Sequence, residues 1–372
     1  MLATECLLEF VRSRLPRYAK RNLVTPVQDP FGDADVWVLA SLLQKAIRRS
    51  DLEVARRAGH QLLRLDANRL WRRLMTVALE DIGIGDPARA AEIVAIATSA
   101  EVRKLIGPQA LDVALVSACE AVKDRTADHL ISILRNETYK QGALASASNN
   151  AQRAVMASKS QPWLKRVEAG WLLEQASLET GAPSDVFPAL EELDVPTPLV
   201  AACKVYRRRG RDGLAALTGL AWLLWQTDGS ASGVRLATPA KPELLGELPD
   251  YALDPLHTRL GQRAVELWLR SYLTKVPFTT RQVAAALWNR ESAFCARVLD
   301  WPLGRLMAED AAREDLIRRD LDPVRHAEID AWVEDELAGL LCARKAVLDS
   351  ERRKRAAEPR DVGPLWTASE GG

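Results

Sequence analysis

An all-α protein built from antiparallel helical hairpins is predicted by three features of this chain. Apolar residues recur at helical spacing along nearly all of it. Runs of alternating β-branched residues, the mark of half-buried strands, are almost missing. The breaks between periodic runs carry capping chemistry, with Asp or Ser before a run and Gly or Pro near its end.

The first 35 residues read as one helix and a linker. Glu5 and Glu9 interrupt the apolar stretch there and no small-residue cleavage site follows, so a secretory leader is not expected. Next, Leu39, Leu42, Leu43 and Ala46 form one stripe, with Lys45, Arg48 and Arg49 opposite. Ser50 and Asp51 offer an N-cap to a second helix, whose face of Leu52, Ala55, Ala58, Gly59, Leu62 and Leu63 contains small residues suited to close helix approach. Asp66 and Asn68 mark the following break, and Leu70, Leu74, Val77, Ala78 and Ile82 line a third helix. The string GIGDP at 83–87 is a strong stop: glycines end one helix, Asp86 caps the next and Pro87 opens it.

Helices are expected to continue at 88–98, 109–122 and 126–134, with a break at Ile106, Gly107 and Pro108. Segment 139–160 is polar and rich in small residues, either a connector or a loosely packed helix. Further helices fall at 162–179, 199–209 and 211–226, the first two split by the proline-rich stretch 181–198. The most apolar run, 214–225, is about a dozen residues, short of the ~20 that cross a bilayer, and reads as a buried helix. Residues 227–250 form the longest stretch without a helical pattern, expected to be a structureless loop and a domain boundary. Beyond it, 257–275, 279–298, 302–320 and 324–358 read as helices, and 359–372 as a disordered tail. The predicted parts are thus 1–35, a helical domain at 36–138, its continuation at 160–226, the loop 227–250, and a second helical domain at 251–358. No fixed-period repeat stands out.

With 51 Lys and Arg against 50 Asp and Glu, the net charge is +1, so any pull on nucleic acid must come from local patches. The cysteines Cys6, Cys119, Cys203, Cys295 and Cys342 are scattered and odd in number, which points to reduced thiols in the cytoplasm rather than disulfides or a zinc site. Several of the eleven tryptophans, Trp71, Trp171, Trp222, Trp268 and Trp288, lie inside helical patterns and are expected to pack in the core, with base stacking left to any that are exposed.

Catalytic motifs are missing. There is no GxxxxGK followed by Ser or Thr to cradle phosphates, no GxGxxG after a strand, no HExxH and no GxSxG. Adjacent helical residues point about 100° apart, so Glu80 and Asp81 are expected to cap or salt-bridge a helix junction rather than act as a pair. His60, His129 and His326 stand singly, and neither a metal site nor a cofactor is expected. Asp254, His257, Thr258, Arg259 and Arg263 crowd the start of a helix and form a candidate anion or ligand site, although Asp254 as N-cap with Pro255 following explains half of it locally.

Four basic clusters stand out. Arg69, Arg72 and Arg73 share a helix with Trp71, and Arg318 and Arg319 lie beside acids. Arg207, Arg208, Arg209 and Arg211 fall at a helix end, and Arg352, Arg353, Lys354 and Arg355 in the final charged segment. The last two clusters are the candidate nucleic-acid contacts, since grouped arginines bind phosphates well, while cations also suit helix C-termini and solvated faces.

Three strings carry a family resemblance: LLQKAIRRSD at 42–51, LWRRLMTVALEDIGIGDP at 70–87 and, more faintly, LDVALVSACEAV at 111–122. Residues 36–135 resemble the helical region after the ATPase core in the MgsA/RarA family of replication-associated recombination proteins, relatives of clamp loaders. The ATPase core itself has no counterpart here, and the family's lysine-serine-asparagine stretch is not found after residue 135. The resemblance implies a clamp-loader-collar-like N-terminal part that self-associates or docks on a separate ATPase or replication protein, through Leu70, Trp71, Leu74 and Ile82. The leading expectation is a non-catalytic accessory protein of DNA replication, recombination or repair that contacts DNA or RNA and no membrane. The alternatives are a pure protein–protein scaffold of a phage-like or mobile-element system, and an enzyme with a phosphate site at 254–259.

Overall fold

The structure is a computed structural model that describes residues 2–18, 29–32, 34–134, 144, 146–209, 213–229, 233–239, 241–272, 276–292, 294–317 and 323–357. Its described residues form eighteen α-helices and four short strands, an all-α protein.

Helix α1 (Ala3–Tyr18) packs on α12 (Thr197–Arg207) and α5 (Pro87–Thr98). Helices α2 (Val36–Arg48) and α3 (Leu52–Leu65) form a hairpin, and α4 (Ala67–Val77) follows at once. Each start is chemically marked. Asp35 accepts from the amides of Trp37 and Val38, Asp51 from Val54, Asp66 from Arg69 and Asp86 from Arg89, all at 2.8–3.1 Å. The small residues of α3 serve the close approach expected of them: a Cβ on Gly59 would come within 2.9 Å of Leu115 in α7 (Ala110–Glu120).

Between α4 and α5 the chain makes a π-helical turn, Ala78–Ile82, and a 3-10 turn, Gly83–Gly85. Helices α6 (Ala100–Ile106), α7 and α8 (Thr126–Leu134) complete the first half. Then come α9 (Asn149–Ala157), α10 (Trp163–Thr180), α11 (Val186–Glu192), α12 and α13 (Leu214–Asp228). Helix α11 lies inside the proline-rich stretch, and α13 is the buried helix that the apolar run 214–225 predicts.

Segment 227–250 departs from the expected structureless loop. It holds strands β1 (Gly233–Leu236), β2 (Leu244–Leu245) and β3 (Leu248–Pro249). Strand β1 pairs antiparallel with β4 (Arg297–Asp300), which occupies the end of the helix expected at 279–298. Helix α14 (Arg259–Arg270) precedes α15 (Thr280–Ser292), and α16 (Pro302–Ile317) follows β4.

The last expected helix is two, α17 (Pro323–Asp335) and α18 (Leu337–Ala357). The break sets Gly339 against Trp268, where a Cβ would meet the indole nitrogen at 2.8 Å.

Buried residues from both sides of 227–250 share one apolar cluster: Leu253, Leu260, Met307 and Val347 join Leu42, Leu74 and Leu115. A smaller cluster around Trp268, which stacks on Trp332 at 4.8 Å, binds α14, α15, α17 and α18 together. Arg211, Arg318, Arg319 and the tail 359–372 lie outside the described residues, as does the side chain of Arg355.

Candidate functional site

The polar face of α2 enters the interior and organises what surrounds it. Arg48 donates through Nε to Asp81 Oδ1 at 2.6 Å and through Nη2 to Glu80 Oε1 at 3.0 Å. Gln44 Nε2 donates to both carboxylates at 2.9 Å. Glu80 and Asp81 therefore salt-bridge a helix junction, as expected, and they do so through shared partners. They lie in the π-helical turn, whose wider winding carries both carboxylates to the same two donors. Burial, then Asp81, pushes the Glu80 carboxyl up to about 7. Burial alone would lower Arg48, but Asp81 and Glu80 outweigh it and raise the guanidinium above its ordinary value.

The next turn brings the backbone of 83–85 onto segment 122–125. Gly83 has φ +46°, and a Cβ there would sit 3.3 Å from the Asp124 carbonyl oxygen. At Gly85 a Cβ would be 2.6 Å from the Val122 oxygen. Only glycine permits that approach, and it lets the Asp124 amide donate to the Asp81 carbonyl at 2.8 Å. On the other side, the Lys123 amide donates to the Arg297 carbonyl at 2.7 Å, and the Leu299 amide to the Lys123 carbonyl at 2.8 Å. Segment 122–125 is thus clamped between the glycine turn and β4.

Beside this clamp opens a cavity of about 790 Å³, walled by α8, α15, α16 and the β1–β4 ribbon. Lys123, Asp124, Arg125, Asp128 and His129 line it from one side, Arg235 and Arg305 from another, and Trp288, Phe294 and Trp301 supply aromatic surface. Burial lowers the Lys123 ammonium to about 8, yet it still donates to the carbonyls of Ala118, Cys119 and Ala121 at 2.7–3.2 Å, closing the end of α7. Burial raises Asp124 to about 6 against the opposing bonds from the Thr126 amide and hydroxyl at 3.1 and 2.9 Å. His129 falls to about 4 through burial and the nearby Arg125, so its ring is neutral near pH 7. Burial would raise Asp128, but Arg125, which donates to it, holds it below the usual range. Arg125 also lies 5.8 Å from the Trp288 ring centroid.

The candidate anion cluster does not converge as the sequence suggests. Helix α14 begins at Arg259 and its N-cap is Thr258, whose hydroxyl accepts from Gly261 at 3.1 Å. Asp254, expected to be that cap, instead pairs with Lys45 at 3.1 Å and accepts from the amides of Leu256 and His257 at 2.9 and 2.8 Å. Burial would raise its carboxyl, but the His257 bond and Lys45 outweigh it and hold it far below the usual range. Arg263 pairs with Glu351 at 3.0 Å and Arg259 is exposed. Of the cluster, His257 alone lines the cavity.

The basic clusters divide. Arg207 donates to Glu174, whose side chain is fully buried, and Arg209 donates to the Thr98 carbonyl at 2.8 Å at the end of α5. Arg208 is exposed. Arg352, Arg353 and Lys354 are all exposed on α18. The expected association surface needs correction: Leu70, Leu74 and Ile82 are 0% exposed, in this chain's own core. Trp71 is half-buried, with the Arg103 guanidinium 4.7 Å from its centroid. His60 meets Asp112 at 3.1 Å and His326 meets Asp330 at 3.1 Å. Among the described residues, no group of three or more His, Cys, Asp or Glu is placed to hold a metal ion. No helix there is long and apolar enough to cross a membrane.

Sequence reasoning missed the cavity-lining Arg125, Arg235 and Arg305, and read His129 only as an isolated histidine. Its one local signal was the charged triplet Lys123, Asp124 and Arg125, directly after the apolar α7. Comparison of the chain with protein families, with curated proteins and with solved structures finds no match in any of the three.

Proposed function

We propose that this chain is a non-catalytic accessory protein of DNA replication, recombination or repair, acting through partner association and nucleic-acid contact. One observation carries the contact. Helix α18 buries Leu340, Ala343 and Val347 in its first half and presents Arg352, Arg353 and Lys354 to solvent in its second. Three exposed cations on one turn suit a phosphate backbone, and among the described residues Arg352 pairs with Asp349 at 3.6 Å, itself exposed. The setting in replication or repair rests on the resemblance of 36–135 to the MgsA/RarA helical region. Its EDIGIGDP string here shapes the π-helical turn and the glycine clamp, a structural part of the fold.

The test is DNA binding by fluorescence anisotropy across a salt series. The triple variant R352A/R353A/K354A is expected to bind more weakly and with a shallower salt dependence, by about 0.9 in log–log slope for each duplex phosphate contact removed. Unchanged affinity and slope would overturn the contact.

A scaffold reading is favoured by β1, whose Val234 and Leu236 are 48% and 71% exposed. A light-scattering mass above that of the monomer, returned to it by V234S/L236S, would support that reading.

A further inference from the structure

We propose that the cavity bounded by α8, α15, α16 and the β1–β4 ribbon binds a mononucleotide unit, with its phosphate on Arg235 and Arg305 and its base against Trp288. The site shares no residue with the α18 contact and stands or falls independently of it.

The size is right. A cavity of about 790 Å³ falls within the roughly 300–1,000 Å³ of pockets that hold small organic ligands. Its charge selects the sign of the ligand. Asp128 is engaged by Arg125, Asp300 lies 3.5 Å from Arg305, and Asp124 is held by Thr126. No such carboxylate faces Arg235 among the described residues, although the residue lines the cavity and is exposed. Arg305 is itself 60% exposed and its contact with Asp300 is long, so an anion can draw it away. The carboxylates are occupied and a guanidinium is open, which favours an anion over a cation.

Aromatic surface selects the rest of the ligand. Half-buried Trp288 lines the cavity, with the ring of His257 edge-on at 6.1 Å. Indole faces stack with every nucleobase. His129, whose ring is neutral near pH 7, adds an uncharged wall to the same cavity. An inorganic anion would use the arginines and leave Trp288 idle. A nucleotide uses all of them.

The unit can be a free mononucleotide or the phosphorylated end of a single strand. Isothermal titration of the full chain with the four ribonucleoside 5′-monophosphates, with inorganic phosphate and with short 5′-phosphorylated and unphosphorylated strands separates these. At least one mononucleotide or phosphorylated strand is expected to saturate the chain. Arg235→Ala, on an exposed strand position, is expected to weaken it about tenfold, the scale of one lost charged contact. Trp288→Leu is expected to weaken nucleotide binding but not phosphate binding, with an unchanged melting temperature confirming its fold. The R352A/R353A/K354A variant should bind mononucleotide as the parent does. Tighter binding of the phosphorylated strand than of any mononucleotide assigns the strand end; the reverse assigns the free nucleotide. No nucleotide or phosphorylated-strand binding, binding indifferent to R235A, or inorganic phosphate bound as tightly as the mononucleotides would overturn the proposal.

Discussion

Lys45 Nζ lies 3.1 Å from Asp254 Oδ2, with 4% and 6% of the two side chains exposed. The same ammonium donates to the Tyr251 carbonyl at 2.7 Å. This buried pair ties α2 in the first half of the chain to the segment before α14 in the second. Removing one member strands a charge in the interior, a loss of about 3–5 kcal/mol. Lys45→Met should therefore lower the urea midpoint sharply, and adding Asp254→Asn should recover part of the loss. A Lys45→Met midpoint equal to the parent's would refute the tie. Because the Asp254 carboxyl is held well below its ordinary value, its contribution is present at neutral pH and fades as pH falls below about 4.

Glu80 has the opposite sign. Its carboxyl is raised from 4.5 to about 7, so the folded chain holds that proton more tightly than the unfolded chain. Stability from this group rises as pH falls from about 7 towards 4.5, and the charged form weighs against folding above that window. Glu80→Gln keeps an acceptor for Arg48 and removes the charge. At pH 8 it should be more stable than the parent by about 1–3 kcal/mol, each pKa unit being worth about 1.4 kcal/mol. At pH 5 the two should converge. Denaturation midpoints across pH 5–8 measure this directly, and a difference that does not vary with pH would exclude Glu80 as the titrating group.

Gly85 makes a steric prediction. An alanine Cβ there would meet backbone, the Val122 oxygen at 2.6 Å, and backbone cannot swing aside as a side chain would. Gly85→Ala should cost about 1–3 kcal/mol, the usual scale of overpacking. Gly233→Ala is the matched control, since nothing lies within 4 Å of a Cβ there. Paired thermal melts should show a drop for the first and almost none for the second.

The helices were legible because their signals are local. Asp51, Asp66 and Asp86 each cap from within three residues, and Gly59 marks a close approach by its size alone. What was not legible depends on distant partners. Residues 297–300 have a helical pattern before them, but backbone bonds to Lys123 and to β1 make them a strand. Asp254 and Thr258 both offer local cap chemistry: Thr258 caps α14, while Asp254 holds the turn before it and pairs with the distant Lys45. Leu70, Leu74 and Ile82 form an apolar stripe that suits an interface and a core alike; only the packing of α5 and α13 around it shows the core. The cavity joins residues 125, 235, 288 and 305, a set that no local spacing announces.

Arg207 separates a structural arginine from a binding one. It serves Glu174, a fully buried carboxylate on α10 that also accepts from Ser184. Arg207→Ala leaves that carboxylate, among the described residues, with the Ser184 hydroxyl, and the loss should approach the roughly 3–5 kcal/mol of a broken buried pair. Its effect should appear as a lowered melting temperature, with DNA affinity of the folded chain unaltered. The R352A/R353A/K354A variant should show the reverse, because exposed charges contribute little to stability, about 0–1 kcal/mol for a pair. Measuring both quantities on both variants sets the two outcomes side by side. A folded Arg207→Ala chain with weakened, salt-shallow DNA binding would return the nucleic-acid contact to the end of α12 and remove it from α18.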